Sequence, residues 1–181
     1  MYFLSIDKIL DINQIKRKYK IDILTSIKKY NFNYQGLKSI LLYKLNKKGK
    51  NAVIFSSSSD KINYEKYIYK LKESFEEDNM HSAVVVTSKN FYSNKQDEFF
   101  YDNNMNNEEK EKFWLNLKTY DYIFIQSGSI LTTNITKELI IKQKSIVLTE
   151  KCGISKFNSI DKTIEEITMF DGQIEGFIIF E

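Results

Sequence analysis

The sequence predicts an α/β fold in which a mainly parallel sheet is flanked by helices, as a single three-layer domain of Rossmann-like type. Short apolar runs rich in β-branched residues recur along the chain, which is typical of strands covered on both faces. Between these runs, apolar residues recur at helical spacing, so strands and helices alternate. A length of 181 residues with 42% apolar content suits one buried core.

The first fifty residues predict two helices around a short extended segment. Asp11 followed by Gln14 has the form of a capping box, and apolar residues then fall on one face, so we expect a helix from about 12 to 19. The apolar residues between 21 and 24 indicate a brief extended segment. A second helix carries its apolar positions between 37 and 45, with lysines near its C-terminal end, where cations suit the helix dipole.

The central part of the chain predicts two buried strands and two helices. The first strong strand covers 52–55, and a helix with apolar positions between 64 and 75 follows it. The run at 82–87 predicts a second buried strand. Residues 88–107 are polar and rich in asparagine, which predicts an irregular excursion. Asn107 is then expected to cap a helix with glutamates in its first turn.

The last third of the chain continues the same alternation. A buried strand at 122–125 is followed by a helix around 138–141 and by a strand at 145–148. A final helix has apolar positions between 164 and 170, and the run at 176–180 predicts the last strand. Short buried strands joined through helices favour parallel pairing.

Charge is distributed unevenly along the chain. The net charge is +3, but residues 1–50 hold twelve Lys or Arg against three Asp, which gives +9 there and −6 over 51–181. We expect a basic helical segment, 1–50, that packs on an α/β domain, 51–181. Such a segment suits an anionic membrane surface, or it is a solvated lysine-rich face. A nucleic-acid partner is not expected, because the tyrosines are dispersed and no RNA-binding signature is present.

Membrane-spanning and metal-binding classes find no support in the sequence. No apolar stretch approaches the roughly 18 to 20 residues of a spanning helix, and no leader pattern is visible. His81 is the only histidine and Cys152 the only cysteine, so we expect no metal site and a packed thiol.

The segment after the first strong strand carries the main functional signal. Residues 51–71 read NAVIFSSSSDKINYEKYIYKL, which has the strand, loop and helix order of a phosphate-binding loop. Working loops of this kind are rich in glycine and end in Lys followed by Ser or Thr, so that backbone N–H groups and a cation surround the phosphates. This loop has neither feature. The pattern predicts the scaffold of a P-loop protein without its usual chemistry.

The order of segments resembles the cytoplasmic domain of bacterial tyrosine kinases (BY-kinases). These P-loop proteins regulate capsule and exopolysaccharide export and belong with the ParA and MinD type of deviant-Walker ATPases. The helix F-R-x-L-R-T-N-[IL] of the family is similar to GLKSILLYKL, and its final x-x-x-G-V-V-[LF]-N is similar to GQIEGFIIFE. The resemblance covers nearly the whole chain and implies a P-loop NTPase-like fold.

The resemblance identifies which loop residues have changed. The family loop T-S-x-x-P-G-E-G-K-S-T aligns without gaps within FSSSSDKINYEK, so that Tyr64 stands at the catalytic lysine position and Glu65 at the magnesium-binding serine. A tyrosine there cannot supply positive charge to transferring phosphoryl oxygens. We define the degenerate loop as Ser56, Ser57, Ser58, Ser59, Asp60, Lys61, Asn63, Tyr64 and Glu65.

Two further motifs of the family are altered in the same sense. V-L-L-I-D-A-D resembles SAVVVTSKN, in which Thr87 and Lys89 replace two aspartates. Y-D-Y-[IV]-[IV]-[IV]-D-[TS]-P-P resembles YDYIFIQSGS, in which Gln126 replaces the metal-linked aspartate. The resemblance therefore implies a catalytically inactive BY-kinase-like domain with no catalytic residue, cofactor or metal, which scaffolds or regulates polysaccharide export through protein partners and self-association. It implies a cytoplasmic location at the inner face of the membrane.

An alternative remains open on the sequence alone. The chain could be a small-molecule or nucleotide-binding enzyme of Rossmann-like fold that uses a rearranged loop, with its site at the carboxyl ends of the strands. The loops concerned are 56–61, 87–90 and 126–129. A deep cleft with converging polar groups would favour the ligand-binding enzyme, and a filled cleft would favour the inactive scaffold domain. A third hypothesis is an interaction module of an unrelated pathway.

Overall fold

The computed structural model describes residues 7–28, 32–88 and 95–181, which build one parallel sheet covered by helices on both faces. Its strands are β1 (Ile23–Ile27), β2 (Ala52–Ser56), β3 (Ser82–Val86), β4 (Glu98–Phe100), β5 (Tyr122–Gln126), β6 (Ser145–Lys151) and β7 (Gln173–Phe180). Its helices are α1 (Ile12–Lys18), α2 (Tyr34–Lys47), α3 (Glu65–Glu76), α4 (Asn107–Asn116), α5 (Asn134–Gln143) and α6 (Phe157–Met169), and a 3₁₀ turn (Leu117–Thr119) follows α4.

The sheet has seven strands in the order β1, β7, β6, β2, β5, β3, β4, and every pair of neighbouring strands runs parallel. Helices α2 and α3 cover one face, where Leu41 and Phe75 join the same core cluster as Phe124. Helices α1, α4, α5 and α6 cover the other face and contribute Ile15, Trp114, Leu139 and Ile160 to a second cluster. The predicted three-layer α/β fold is confirmed.

Strand β4 was not predicted, because it lies inside the segment 88–107 that was expected to be irregular. It is only three residues long and begins with Glu98, whose charge is atypical of a strand. Pairing with β3 holds it in the sheet, and the buried Glu98 carboxylate accepts a hydrogen bond from the Tyr69 hydroxyl on α3. The strand therefore depends on tertiary contacts that no local pattern shows.

The predicted cap of α4 is one residue away from the observed cap. Asn106 is the N-cap, because it forms a reciprocal capping box with Glu109. The Glu109 N–H donates to Asn106 Oδ1 at 3.0 Å, and the Asn106 N–H donates to Glu109 Oε2 at 2.7 Å. Asn107 is the first helical residue instead. The capping box predicted for α1, with Asp11 and Gln14, is present.

The basic segment is built into the same layers as the rest of the chain. Strand β1 forms one edge of the sheet beside β7, and α2 packs against α3. Several of its lysines pair with carboxylates of the acidic remainder: Lys18 with Asp161 at 2.5 Å, Lys38 with Asp78 at 2.8 Å, and Lys48 with Glu175 at 2.7 Å. Part of the charge asymmetry in the sequence is thus neutralised within the fold.

Across the described ranges, none of the helices combines the length and the apolar character needed to cross a membrane. The two clusters of core side chains instead bury the apolar faces of the helices against the sheet.

Candidate functional site

Three loops meet at the carboxyl ends of β2, β5 and β3. In the register of the sheet, Phe55 lies beside Gln126, and Gln126 lies beside Val86. Backbone hydrogen bonds continue past the strands, from the Ser127 N–H to Phe55 O at 3.0 Å and from the Thr87 N–H to Gln126 O at 3.2 Å. The structure therefore brings the degenerate loop together with Thr87 and Gln126. Lys89 lies outside the described residues.

The serines of the degenerate loop bond mainly to the protein backbone. Ser56 Oγ donates to Gly128 O and Ser57 Oγ donates to Ser59 O, each at 2.8 Å. All of Ser56, Ser57 and Ser58 are buried. Hydroxyls used in this way fix the loop, so they are less free to donate to an anion.

Ser58 is fixed by a carboxylate from a neighbouring strand. Its N–H donates to Glu150 Oε1 at 2.8 Å, and its hydroxyl donates to Glu150 Oε2 at 2.7 Å. Ser155 Oγ donates to the same carboxylate at 2.6 Å. Glu150 lies near the end of β6 and is fully buried, and burial raises its pKa to about 7, although the hydrogen bonds from Ser155 and Ser58 oppose the shift.

Glu150 was not among the residues singled out from the sequence. The available signal was a glutamate that ends the apolar run of β6, at the carboxyl edge of a parallel sheet. That position is where polar side chains gather in α/β folds. Only the tertiary structure shows that the carboxylate turns towards the loop after β2.

A second carboxylate joins the degenerate loop to the loop after β5. Asp60 Oδ1 accepts a hydrogen bond from the Ser129 N–H at 2.9 Å, and Asp60 Oδ2 accepts one from Thr132 Oγ1 at 2.8 Å. Asp60 itself is exposed. The resemblance puts a proline at this position, whereas the observed residue is an anion that closes the loop against its neighbour.

Tyr64 fills the place expected for a catalytic lysine with a neutral, buried phenol. The residue is the N-cap of α3 and is 5% exposed. Its hydroxyl lies 2.9 Å from Phe55 O and also contacts Ser127 O. Burial raises the pKa of Tyr64 well above its usual range, and the nearby carboxylates of Asp60 and Glu150 raise it further. The phenol therefore stays protonated and donates to the backbone.

The remaining residues of the loop shape the turn into α3. The Lys61 N–H donates to Ser59 Oγ at 3.3 Å, and the Lys61 side chain is exposed. Asn63 Oδ1 accepts from the Glu65 N–H at 3.1 Å, so Asn63 caps one of the free N–H groups at the start of α3. Several N–H groups that would face a phosphate thus have protein acceptors.

A cavity of about 350 Å³ remains between the three loops. Gln126 lines it, is 3% exposed, and has an Oε1 atom with no hydrogen-bond partner in the described chain. Thr87 also lines the cavity. The cleft is therefore neither collapsed nor lined by the carboxylates that a magnesium ion prefers at these two positions.

Other reactive side chains lie away from this cavity. The ring of His81 stacks on Tyr120 at 4.3 Å, and Cys152 is half-buried, with its pKa raised by burial. Among the described residues, no group of three or more His, Cys, Asp or Glu side chains could hold a metal ion.

Replacing Tyr64 by phenylalanine tests whether the phenol closes the loop. Tyr64→Phe should lower the free energy of unfolding by about 1 to 2 kcal/mol, because the buried Ser127 O loses its hydroxyl donor and Phe55 O keeps only the Ser127 N–H. Tyr67→Phe is the matched control, since Tyr67 is half-buried on the same helix and its hydroxyl has no hydrogen bond within the described ranges. Urea unfolding measures both variants. Equal effects would contradict this role of Tyr64.

The buried carboxylate of Glu150 predicts a pH dependence of stability. Because folding raises its pKa to about 7, folding favours the protonated form, and this contribution is lost as the pH rises through that value. Between about pH 5 and pH 8 the wild type should lose about 3 kcal/mol of unfolding free energy relative to Glu150→Gln. Urea unfolding across this range provides the measurement.

The matched control is Glu165→Gln, which makes the same chemical change on the exposed face of α6. Its difference from the wild type should not show the loss expected for Glu150→Gln. A difference between the wild type and Glu150→Gln that stays constant with pH, or grows in favour of the wild type as the pH rises, would show that the carboxylate is not held as described.

The fold is shared with known tyrosine kinase domains, although sequence comparison alone finds no relative. No protein-family model matches the sequence, and no curated protein matches it. The tyrosine kinase domain of BceF superposes with a TM-score of 0.76 at 11% identity, covering 96% of this chain and 98% of that one. The chimerical protein CapA2B2 gives 0.75 at 10% identity, with 93% and 97% covered.

The kinase domain of the Escherichia coli tyrosine kinase ETK gives a TM-score of 0.69 at 8% identity, covering 93% of this chain and 92% of that one. At such low identities these likenesses establish the fold and leave the chemistry open. The resemblance to BY-kinases predicted from the order of motifs is thus confirmed at the level of the fold: the chain has the architecture of tyrosine kinase domains over nearly its whole length.

Proposed function

We propose that this chain is a catalytically inactive, BY-kinase-like cytoplasmic domain that scaffolds or regulates capsular or exopolysaccharide biosynthesis and export. It would act through protein partners, including further copies of itself, and without ATP hydrolysis. The tyrosine kinase fold supports the general class. The arrangement of the degenerate loop supports the absence of catalysis.

The observation that carries the proposal is the use of carboxylates to hold the loop. Glu150 takes the N–H and hydroxyl of Ser58, and Asp60 takes the N–H of Ser129. A phosphate-binding loop must keep such donors free for an anion. Asp60 would also repel a nucleotide phosphate, and Glu150 would do so in its ionised form, whose charge water screens weakly because the side chain is buried.

The groups that would stabilise phosphoryl transfer are also replaced. Tyr64 contributes a neutral phenol in place of a cation, although transferring phosphoryl oxygens need positive charge. Thr87 and Gln126 offer a hydroxyl and an amide in place of the carboxylates that hold magnesium in the family. These replacements lie together at the carboxyl ends of the neighbouring strands β2, β5 and β3. Restoring one residue would therefore not rebuild the site.

A peripheral membrane location is part of the proposal. Helix α1 and the residues just after it present Lys16, Arg17 and Lys20 as exposed residues of the basic segment. Clustered cations of this kind are attracted to an anionic leaflet by about 1 kcal/mol each. The exposed apolar side chains of Tyr43 and Met169 are candidate contacts for protein partners.

Titration calorimetry with ATP and magnesium, together with a phosphate-transfer assay, tests the loss of catalysis. We expect no binding and no phosphorylation, because the loop donors are engaged and carboxylates face the phosphate position. The ETK kinase domain serves as the active control. Micromolar binding of ATP or any autophosphorylation of this chain would overturn the proposal.

Co-sedimentation with lipid vesicles tests the membrane surface. The chain should bind vesicles that contain phosphatidylserine and should not bind vesicles of phosphatidylcholine alone, with binding weakened by salt. Replacing Lys16, Arg17 and Lys20 by glutamate should abolish this binding. The same change at Lys110, Lys112 and Lys118, near α4, is the charge-matched control. Equal loss in both triple variants, or binding to neutral vesicles, would contradict the assignment of the α1 surface.

A further inference from the structure

The cavity at the carboxyl ends of the strands has apolar residues in its lining. Its volume of about 350 Å³ falls within the range of small-molecule sites, roughly 300 to 1,000 Å³. The apolar residues of the lining are Ile62, Tyr64 and Ile135, and all three are buried. A ligand with a surface of C–H groups would pack well against these three side chains.

The lining of the cavity also contains hydrogen-bond acceptors. Gln126 Oε1 is a buried acceptor with no partner in the part of the chain that the structure describes. Buried acceptors are almost always bonded, and leaving one unpaired costs about 1 to 3 kcal/mol. Asp60 also lines the cavity with a carboxylate that has no ion-pair partner in that part of the chain. A ligand that donates hydrogen bonds would satisfy Gln126 Oε1 and could add a further donor to Asp60, whose oxygens already accept from Ser129 and Thr132.

A wider groove continues from the cavity. It has a volume of about 600 Å³ and shares Thr87, Ser88, Thr133 and Ile135 with the cavity. Its further lining residues are Phe100, Asp102, Asn103, Asn104, Thr132 and Asn134. No lysine or arginine stands among the described residues that line either space.

This lining selects against anions and in favour of neutral hydroxyl groups. Amides both donate and accept hydrogen bonds, whereas the carboxylates of Asp60 and Asp102 only accept them. A phosphate or a carboxylate would meet negative charge with no compensating cation in the described lining. A sugar ring offers hydroxyl donors around its rim and a C–H face, which suit a lining that contains both acceptors and apolar side chains.

We propose that the cavity and groove form a carbohydrate-binding site for a neutral sugar chain, with one sugar ring in the cavity against Gln126 and the adjoining rings in the groove beside the asparagines. This proposal goes beyond the scaffold role and does not depend on it, because it concerns what the cavity holds and requires no particular partner.

Calorimetric titration and ¹H–¹⁵N NMR shift mapping of the full chain test this site. The probes are glucose, galactose, N-acetylglucosamine and maltotriose, with galacturonic acid as the charged counterpart of galactose and adenosine as a neutral molecule of another class. We expect at least one neutral sugar to bind at millimolar concentration or below. Galacturonic acid should bind more weakly than galactose, and adenosine should not bind.

Substitutions locate the binding within the cavity. Gln126→Leu should weaken the binding of a sugar about tenfold, since one buried hydrogen bond is lost. Gln143→Leu makes the same change at the end of α5, at the opposite edge of the sheet, and should leave binding unaltered. Asn103→Ala, in the groove, should weaken maltotriose and leave single sugars unaffected.

A stability measurement separates ligand binding from a structural role of Gln126. Without sugar, Gln126→Leu should melt at or above the temperature of the wild type, because it removes an unpartnered buried acceptor. A lower melting temperature would show that the amide is already satisfied and would overturn the inference. Failure of every neutral sugar to bind, or stronger binding of adenosine or galacturonic acid, would overturn it as well. None of these outcomes bears on the loss of ATP chemistry.

Discussion

The buried carboxylate of Glu150 is the constraint on which the candidate site depends. A carboxylate taken out of water must find donors, and the nearest are the N–H and hydroxyl of Ser58 and the hydroxyl of Ser155. Because Ser58 supplies two of these donors, the loop after β2 is held against Glu150 of β6. The carboxyl group of Glu150 thereby occupies donors that a phosphate-binding loop reserves for its ligand, and the loop becomes part of the protein's own hydrogen-bond network.

The other contacts at the carboxyl ends of the strands are consistent with this closed loop. With the loop fixed at Ser58, Asp60 reaches the loop after β5, and the phenol of Tyr64 bonds to backbone carbonyl groups between β2 and β5. Both contacts stabilise an arrangement without positive charge. What remains is a cavity lined by neutral and acidic residues. Within the described chain, the buried Gln126 Oε1 atom in this lining has no hydrogen-bond donor. The altered loop and the character of the cavity therefore have one physical origin.

The fold could be predicted from the sequence because strands and helices have strong periodic patterns. The parallel sheet was predicted from the alternation of strands and helices. Strand β4 could not be predicted in this way, because its three residues are held by pairing with β3 and by the hydrogen bond from Tyr69 to Glu98. In the site, the resemblance to BY-kinase motifs led to the predictions that Tyr64 stands at a lysine position and that Thr87 and Gln126 stand at aspartate positions. It did not identify Glu150, because a glutamate at the end of a strand shows no local sign of the loop that it will bind.

The sequence by itself determined the order of strands and helices, the three-layer architecture and the absence of a glycine-rich loop that ends in Lys followed by Ser or Thr, because these are properties of local pattern and residue type. Only the tertiary structure decided that the loop is closed by Glu150 and Asp60, that Gln126 Oε1 has no hydrogen-bond partner among the described residues, and that a cavity persists beside it. These features arise from contacts between residues such as Ser58 and Glu150, which lie 92 positions apart in the chain. Burial and hydrogen-bond satisfaction become defined only when such distant segments meet.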